Sequence, residues 1–227
     1  MNSGRMAMAA GILAAAAWGQ VTAPQIVAKS LHARGGAARF AAVRSFLFVG
    51  HLELDGGKQA SLEVWSAAHP RRIRIEVSLP EGKLVQGWDG TEAWEIAPGK
   101  SQAQTLTGDE AKQVQDQALG FMDLLAMTDA KVALLGQGKL EGHDYYKLGV
   151  TISTGDTFVQ YLDAHTWLAF HEEYPGGVEE ISDYRKVNGL LLPFRYVSGP
   201  AGQPGTPLVR DRMTLDAPID AAIFKMP

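Results

Sequence analysis

Four short apolar segments in quick succession, separated by turn formers, constrain this chain more than any other stretch. Residues 158–196 read FVQYLDAHTWLAFHEEYPGGVEEISDYRKVNGLLLPFRY. Strands are expected over 158–163, 168–174, 178–185 and 190–196, with Pro175-Gly176-Gly177 and Asn188-Gly189 supplying tight turns between them. Such an up-and-down ladder belongs to a curved antiparallel sheet, not to a nucleotide-binding α/β fold. Phe158-Val159, Tyr161-Leu162 and Leu190-Leu191-Leu192 put apolar groups on both faces of their strands. A sheet with one wet face keeps that face polar. The pattern therefore fits either a sheet curled around a lining and covered outside, or an ordinary two-layer core. Pro193 cannot donate to a ladder, so an edge, a bulge or an irregular strand end is expected there.

The rest of the chain adds strands and two main helices. Strands are expected over 46–54 and 59–65 around Asp55-Gly56-Gly57, over 71–79, and over 83–88 and 92–97 around Asp89-Gly90. Ile73, Ile75, Val77 and Leu79 share one face of the 71–79 strand. Further strands follow over 131–135, 145–152 and 208–215, the last with Val209, Asp211, Met213 and Leu215 on one face. The total is roughly ten or eleven. A helix is expected over 24–34, opened by Pro24 and stopped by Gly35-Gly36. A second spans 107–127, with Thr107 and Glu110 as a capping box and Ala111, Val114, Ala118, Phe121, Met122 and Leu125 on one apolar face. Its Met and Phe side chains suit a variable apolar ligand, or simply a helix that plugs a barrel.

Residues 1–19 carry one charge, Arg5, then an Ala-rich apolar run closed by Ala17-Trp18-Gly19. That is the layout of a secretory signal cut before Gln20, leaving 20–227 as a single exported domain that does not span the membrane. The apolar run is shorter than the roughly 20 residues that a spanning helix needs. Cysteine is absent, so the core alone holds the fold. A net charge of -4 spread along the chain excludes a basic nucleic-acid stripe.

Catalytic and metal motifs do not stand out. The six histidines form no HxH or HExxH pair, and there is no nucleophile elbow, phosphate loop or dinucleotide fingerprint. Neither a metal nor a cofactor is expected. Glu172-Glu173 and Glu179-Glu180 are strand neighbours that point to opposite faces, so neither pair acts as an acid/base couple alone. Assembly of a pair across strands stays open.

Ala68-His69-Pro70-Arg71, Trp88-Asp89-Gly90-Thr91-Glu92-Ala93-Trp94 with Pro98, Tyr161-Leu162-Asp163, Asp183-Tyr184-Arg185 and Leu192-Pro193-Phe194 together resemble the outer-membrane lipoprotein-sorting, LolA-like family. The resemblance runs from about Ile26 to Pro227. It implies a mainly β (α+β) fold, an unclosed antiparallel half-barrel with a helical lid. It also implies a non-enzymatic periplasmic carrier that shelters a lipoprotein acyl chain or another apolar ligand, working between membrane-bound donor and acceptor proteins. A sensor or scaffold of the same fold that binds a protein partner is the alternative. Ile73, Ile75, Val77, Trp94, Phe121, Met122 and Leu125 are the residues expected to contact the ligand. His69 stands where the carriers have a lid-latching arginine, and Arg71, Arg72 and Arg74 lie close by as substitutes.

Overall fold

A computed structural model describes residues 21–120, 124–127 and 129–227. The signal segment and its cut before Gln20, and the candidates Phe121 and Met122, lie outside the described residues. The chain runs α1 (Ala23–Ala33), α2 (Ala37–Ala42), β1 (Ser45–Leu54), β2 (Lys58–Ala68), β3 (Arg71–Leu79), β4 (Gly82–Trp88), β5 (Ala93–Ile96) and β6 (Gln104–Thr105). Then come α3 (Gly108–Gly120) and a 3-10 turn (Leu124–Ala126). The remaining strands are β7 (Lys131–Leu140), β8 (His143–Thr151), β9 (Thr157–Asp163), β10 (Ala169–Tyr174), β11 (Gly177–Val187), β12 (Leu190–Gly199) and β13 (Thr206–Leu215), followed by a 3-10 turn (Ala221–Phe224). Within the helix expected over 107–127, the described residues form α3 and a 3-10 turn.

All thirteen strands form one antiparallel sheet in the order β6-β5-β4-β3-β2-β1-β13-β12-β11-β10-β9-β8-β7. The sheet does not close, because its edges β6 and β7 do not pair. The half-barrel expectation holds, with more strands than the ten or eleven read from sequence. One of them, β6, has only two residues, too few to show a period. Every tight turn of the opening ladder forms where expected. Asn188 and Gly189 take φ of 47° and 83°, the left-handed pair that a two-residue hairpin turn requires.

Two expectations change. β12 is central, paired with β11 along its length, so Pro193 is not on an edge strand. Pairing of β12 with β13 spans only Arg195–Ser198, and the Leu191 amide instead donates to the carbonyl of Arg34, just past α1, at 2.9 Å. Pro193 therefore pairs with Tyr184 of β11 but has no ladder partner on the β13 side, where a residue without N–H is tolerated. In β13 the alternation switches phase. Val49 pairs with Arg212 and Gly50 with Arg210, so Asp211 is an extra residue. The bulge leaves Arg210 buried before it and Leu215 buried after it, so Val209 and Asp211 do not share a face with Leu215 throughout. Gly50 is needed opposite: a Cβ there would meet the Val209 carbonyl oxygen at 2.1 Å.

One core cluster gathers Phe46, Phe48, Val64, Ile73, Ile75, Leu190 and Leu192 with Val114 and Ala118 of α3. A second joins Ile26 of α1 to Leu124, Leu125, Leu148, Val150 and Leu162. The β9–β10 turn is pinned by Asp163, whose carboxylate accepts from His143 Nδ1 at 2.8 Å and from the Thr166 and His165 amides at 2.7 and 3.0 Å. Burial raises its pKa, but these hydrogen bonds outweigh burial and hold it at about 2. A depressed carboxylate stabilises the fold above its unfolded pKa near 4, and that stability is lost as pH falls toward 2. Asp163→Ala should cost about 2 kcal/mol at pH 7 by urea denaturation, and the difference should shrink as the pH is lowered toward 2.

Candidate functional site

A cavity of about 820 Å³ opens between the concave side of β9–β13 and helix α3. Its wall is the ladder of residues 158–196: Phe158, Gln160, Glu172, Glu179, Ile181, Tyr184 and Tyr196 all line it. Arg34 at the end of α1 and Arg210 of β13 close one side. The opposite side is the polar face of α3, with Asp109, Lys112, Gln113, Asp116 and Gln117. The apolar face of α3, through Val114 and Ala118, packs instead against β3, β4 and β5. On this face, Val114 and Ala118 belong to the core cluster and do not line the cavity.

A polar row crosses the sheet inside this cavity. The antiparallel register places Gln160 opposite Glu172, Glu172 opposite Glu179, and Glu179 opposite Ser198. Gln160 Nε2 donates to Glu172 Oε2 at 2.7 Å, and Ser198 Oγ donates to Glu179 Oε1 at 2.5 Å. The carboxyl pair left open by the sequence thus assembles across β10 and β11. Burial pushes Glu172 up to about 8, and the Glu179 charge adds to the shift. Burial also raises Glu179, against the Ser198 hydrogen bond and the pull of Arg210. Tyr184 and Tyr196 are raised by burial as well, Tyr196 to about 12.

The two arginines are engaged. Arg210 Nη1 donates to the Pro193 carbonyl at 3.1 Å, and its guanidinium lies 4.9 Å from the Phe48 ring and 4.6 Å from the Tyr196 ring. Arg34 Nε donates to the Ser30 carbonyl at 3.4 Å, and its guanidinium lies 5.1 Å from the Phe40 ring. Across the mouth, Lys112 Nζ donates to Asp116 at 3.1 Å and to Asp156, tying α3 to the β8–β9 turn. The Lys112 bond holds Asp156 low, while burial raises Asp116.

The residues singled out from sequence lie elsewhere. Ile73, Ile75 and Val77 are buried in the core beneath α3, and Leu125 is buried in the cluster with α1 and β8. None of them lines the large cavity, whereas Leu124 does. Trp94 points to the opposite face of the sheet from Ala93, which belongs to the α3 core. There it is sealed by the C-terminal turn, its indole N–H donating to the Phe224 carbonyl at 2.8 Å. His69 is exposed in the β2–β3 turn and borders a smaller cavity of about 140 Å³ with Ala118, Ala126 and Met127. Two residues on, Arg71 makes a paired contact with Asp129, at 2.9 and 3.3 Å, that joins β3 to the chain following α3. The pair is 27% and 46% exposed, so Arg71→Ala should lower stability by less than about 1 kcal/mol. Its expected signature is local: faster amide exchange around Ala126, Met127 and Ala130 with the global midpoint nearly unchanged.

Gln160, Glu172, Glu179 and Arg210 were missed as site residues. The signal was a polar residue inside an apolar alternation, as in Phe158-Gln160-Leu162 and Glu179-Ile181. No cluster of three or more potential metal ligands occurs among the described residues. No helix of the described residues is long and apolar enough to cross a membrane.

Similarity to known proteins enters through the fold. A LolA superfamily protein from Nitrosomonas europaea superimposes with a TM-score of 0.61 at 16% identity, covering 90% of this chain and 98% of that one. A DUF1329 family protein from Desulfovibrio piger gives 0.62 at 13% identity, covering 89% and 97%. The chain has a LolA-like fold. No family model matches the sequence, and no curated protein matches it either. The LolA-like resemblance read from short motifs is thus carried by three-dimensional shape at low identity.

Proposed function

We propose that the protein is an exported, non-enzymatic binding protein of the LolA-like fold that carries an acyl chain or a similar apolar ligand in its half-barrel. The observation that supports this reading is the cavity of about 820 Å³ held between the concave sheet and α3. Ligand sites are typically concavities of about 300–1,000 Å³ with an apolar lining and a few polar groups. Phe158, Ile181, Leu208 and Leu124 provide apolar wall here. Each methylene moved from water onto such a wall contributes about 0.8 kcal/mol. In this reading Ile73, Ile75 and Val77 form a reserve surface that a chain reaches only when α3 lifts, and the Arg71–Asp129 pair resists that movement. Export through cleavage of residues 1–19 to the periplasm, and exchange with membrane-bound donor and acceptor proteins, belong to the same proposal.

The test is native mass spectrometry of protein purified from cell envelopes, followed by delipidation and titration with a fluorescent fatty-acid probe. A co-purifying lipid-sized mass and saturable probe uptake are expected. A protein that arrives empty and takes up no probe would overturn the reading.

A second reading, a sensor or scaffold that binds a protein, draws on the edge strand β7. Leu135 sits at its bulge and is 54% exposed, with Leu134 beside it also exposed. An open edge with apolar side chains is a surface to which a partner strand can add. Retention of one specific envelope protein by the wild type, lost in Leu135→Lys, would favour it.

A further inference from the structure

The cavity holds two buried carboxyls for which the described residues supply no ion pair within 4 Å, although Arg210 pulls on Glu179 from β13. Glu172 and Glu179 face each other across β10 and β11, where directly opposed Cβ atoms lie about 4.5–5.5 Å apart. Among the described residues each takes a hydrogen bond only from a neutral donor, Gln160 or Ser198. Beside them Gln160, itself 7% exposed, presents an Oε1 with no hydrogen-bond partner. The row therefore gathers more acceptor sites, once Glu172 is ionised, than the two neutral donors Gln160 Nε2 and Ser198 Oγ can serve. Burying such groups is costly unless a partner is supplied.

We propose that this row is a subsite for an ammonium group, and that the ligand of the cavity is an amine-bearing amphiphile. An ammonium brings three N–H donors and one positive charge, which matches two carboxyls and an amide oxygen. The inference rests on reading the cavity as the ligand site, with the apolar part of the ligand along Phe158, Ile181 and Leu208. An anionic group suits the site less well. It would meet Glu172 and Glu179, and the guanidinium of Arg210 already rests on the Phe48 and Tyr196 rings.

The remaining charges facing the cavity are arranged compatibly. Arg34, just past α1, and Arg210 on β13 also face the cavity, and Arg210 pulls on Glu179. On α3, Lys112 is held by Asp116 and Asp156, while Asp109 adds a further carboxylate at the mouth. Tyr174, Tyr184 and Tyr196 stay neutral in the physiological range. Glu172 is largely protonated below about pH 8, so a bound ammonium should displace a proton from the pair.

Isothermal titration calorimetry with three probes of equal chain length tests this: dodecylammonium, dodecanol and dodecanoate, each below its micelle concentration. Wild type should bind the amine on the order of tenfold more tightly than the alcohol. At pH 7 the heat should vary with the ionisation enthalpy of the buffer, reporting proton release. Glu172→Gln with Glu179→Gln should erase the preference while still binding the alcohol. If amine and alcohol bind equally, the ammonium subsite is wrong and the apolar cavity stands. If dodecanoate binds best, the arginines define the site and the inference is likewise overturned. If no probe binds, the carrier reading falls and takes this inference with it. The wild-type comparison decides even if the double variant fails to fold.

Discussion

Trp94→Ala should destabilise the protein by about 3–5 kcal/mol, the largest effect expected of any single truncation here. Trp94 is fully buried on the outer face of the sheet. Three separate interactions converge on its ring. The indole N–H holds the Phe224 carbonyl at 2.8 Å, the Arg74 guanidinium lies 5.4 Å from the ring, and Gly87 faces it directly in the β4–β5 register. A Cβ at Gly87 would come within 2.4 Å of the indole. Gly87→Ala should therefore be strongly destabilising in the wild type and much milder in Trp94→Ala, where the ring is gone. Trp94→Phe keeps most of the volume and loses the hydrogen bond, at a cost of about 1–2 kcal/mol. Urea denaturation of wild type, Gly87→Ala, Trp94→Ala and the double variant completes the cycle, and strict additivity of Gly87→Ala and Trp94→Ala would contradict the packing described.

Glu172→Gln should act in the opposite direction and depend on pH. The folded state keeps Glu172 protonated to about pH 8, whereas an unfolded glutamate ionises from about 4.5. Between those limits the folded state binds more protons, so stability falls as pH rises and levels off above pH 8. The ceiling on this loss is about 5 kcal/mol, reduced in practice by relaxation around the site. Glutamine retains an acceptor for Gln160 and carries no charge. The variant should match wild type near pH 4 and exceed it by about 2–4 kcal/mol at pH 8.5, read as the difference in denaturation midpoints. Equal stability at both pH values would mean that Glu172 is not desolvated. Tighter binding of the alcohol probe by Glu172→Gln would not affect this conclusion, because the two measurements report different states.

The architecture was legible because its signals are local. Asn188-Gly189 and Pro175-Gly176 each dictate a turn through backbone conformation alone, and the ladder of residues 158–196 follows from them. The strand face of Ile73, Ile75 and Val77 was also legible, as was the burial of Val114 and Ala118. What those faces meet was not. An apolar helix face reads the same whether it covers a ligand or a core, and here β3–β5 occupy it. The candidate site was hidden for a different reason. Glu172 and Glu179 are separated by a hairpin, and only its register decides that they are opposed. A single inserted residue, like Asp211 in β13, reverses which side chains look inward. Arg210 faces the cavity because of that reversal, and no alternation count across 208–215 reveals it.

The strand order carries a consequence for how the chain folds. Every neighbouring pair is consecutive in sequence except β1 with β13. Two meanders, β1 to β6 and β7 to β13, can each form from short-range contacts. They become one sheet only when Phe46 finds Leu215 and Gly50 finds Arg210. Loop closure over that separation is the one large entropic step in an otherwise local topology, so the β1–β13 seam sets the barrier. Substitutions at the seam, Gly50 above all, should slow folding more than equally destabilising changes in the outer hairpins.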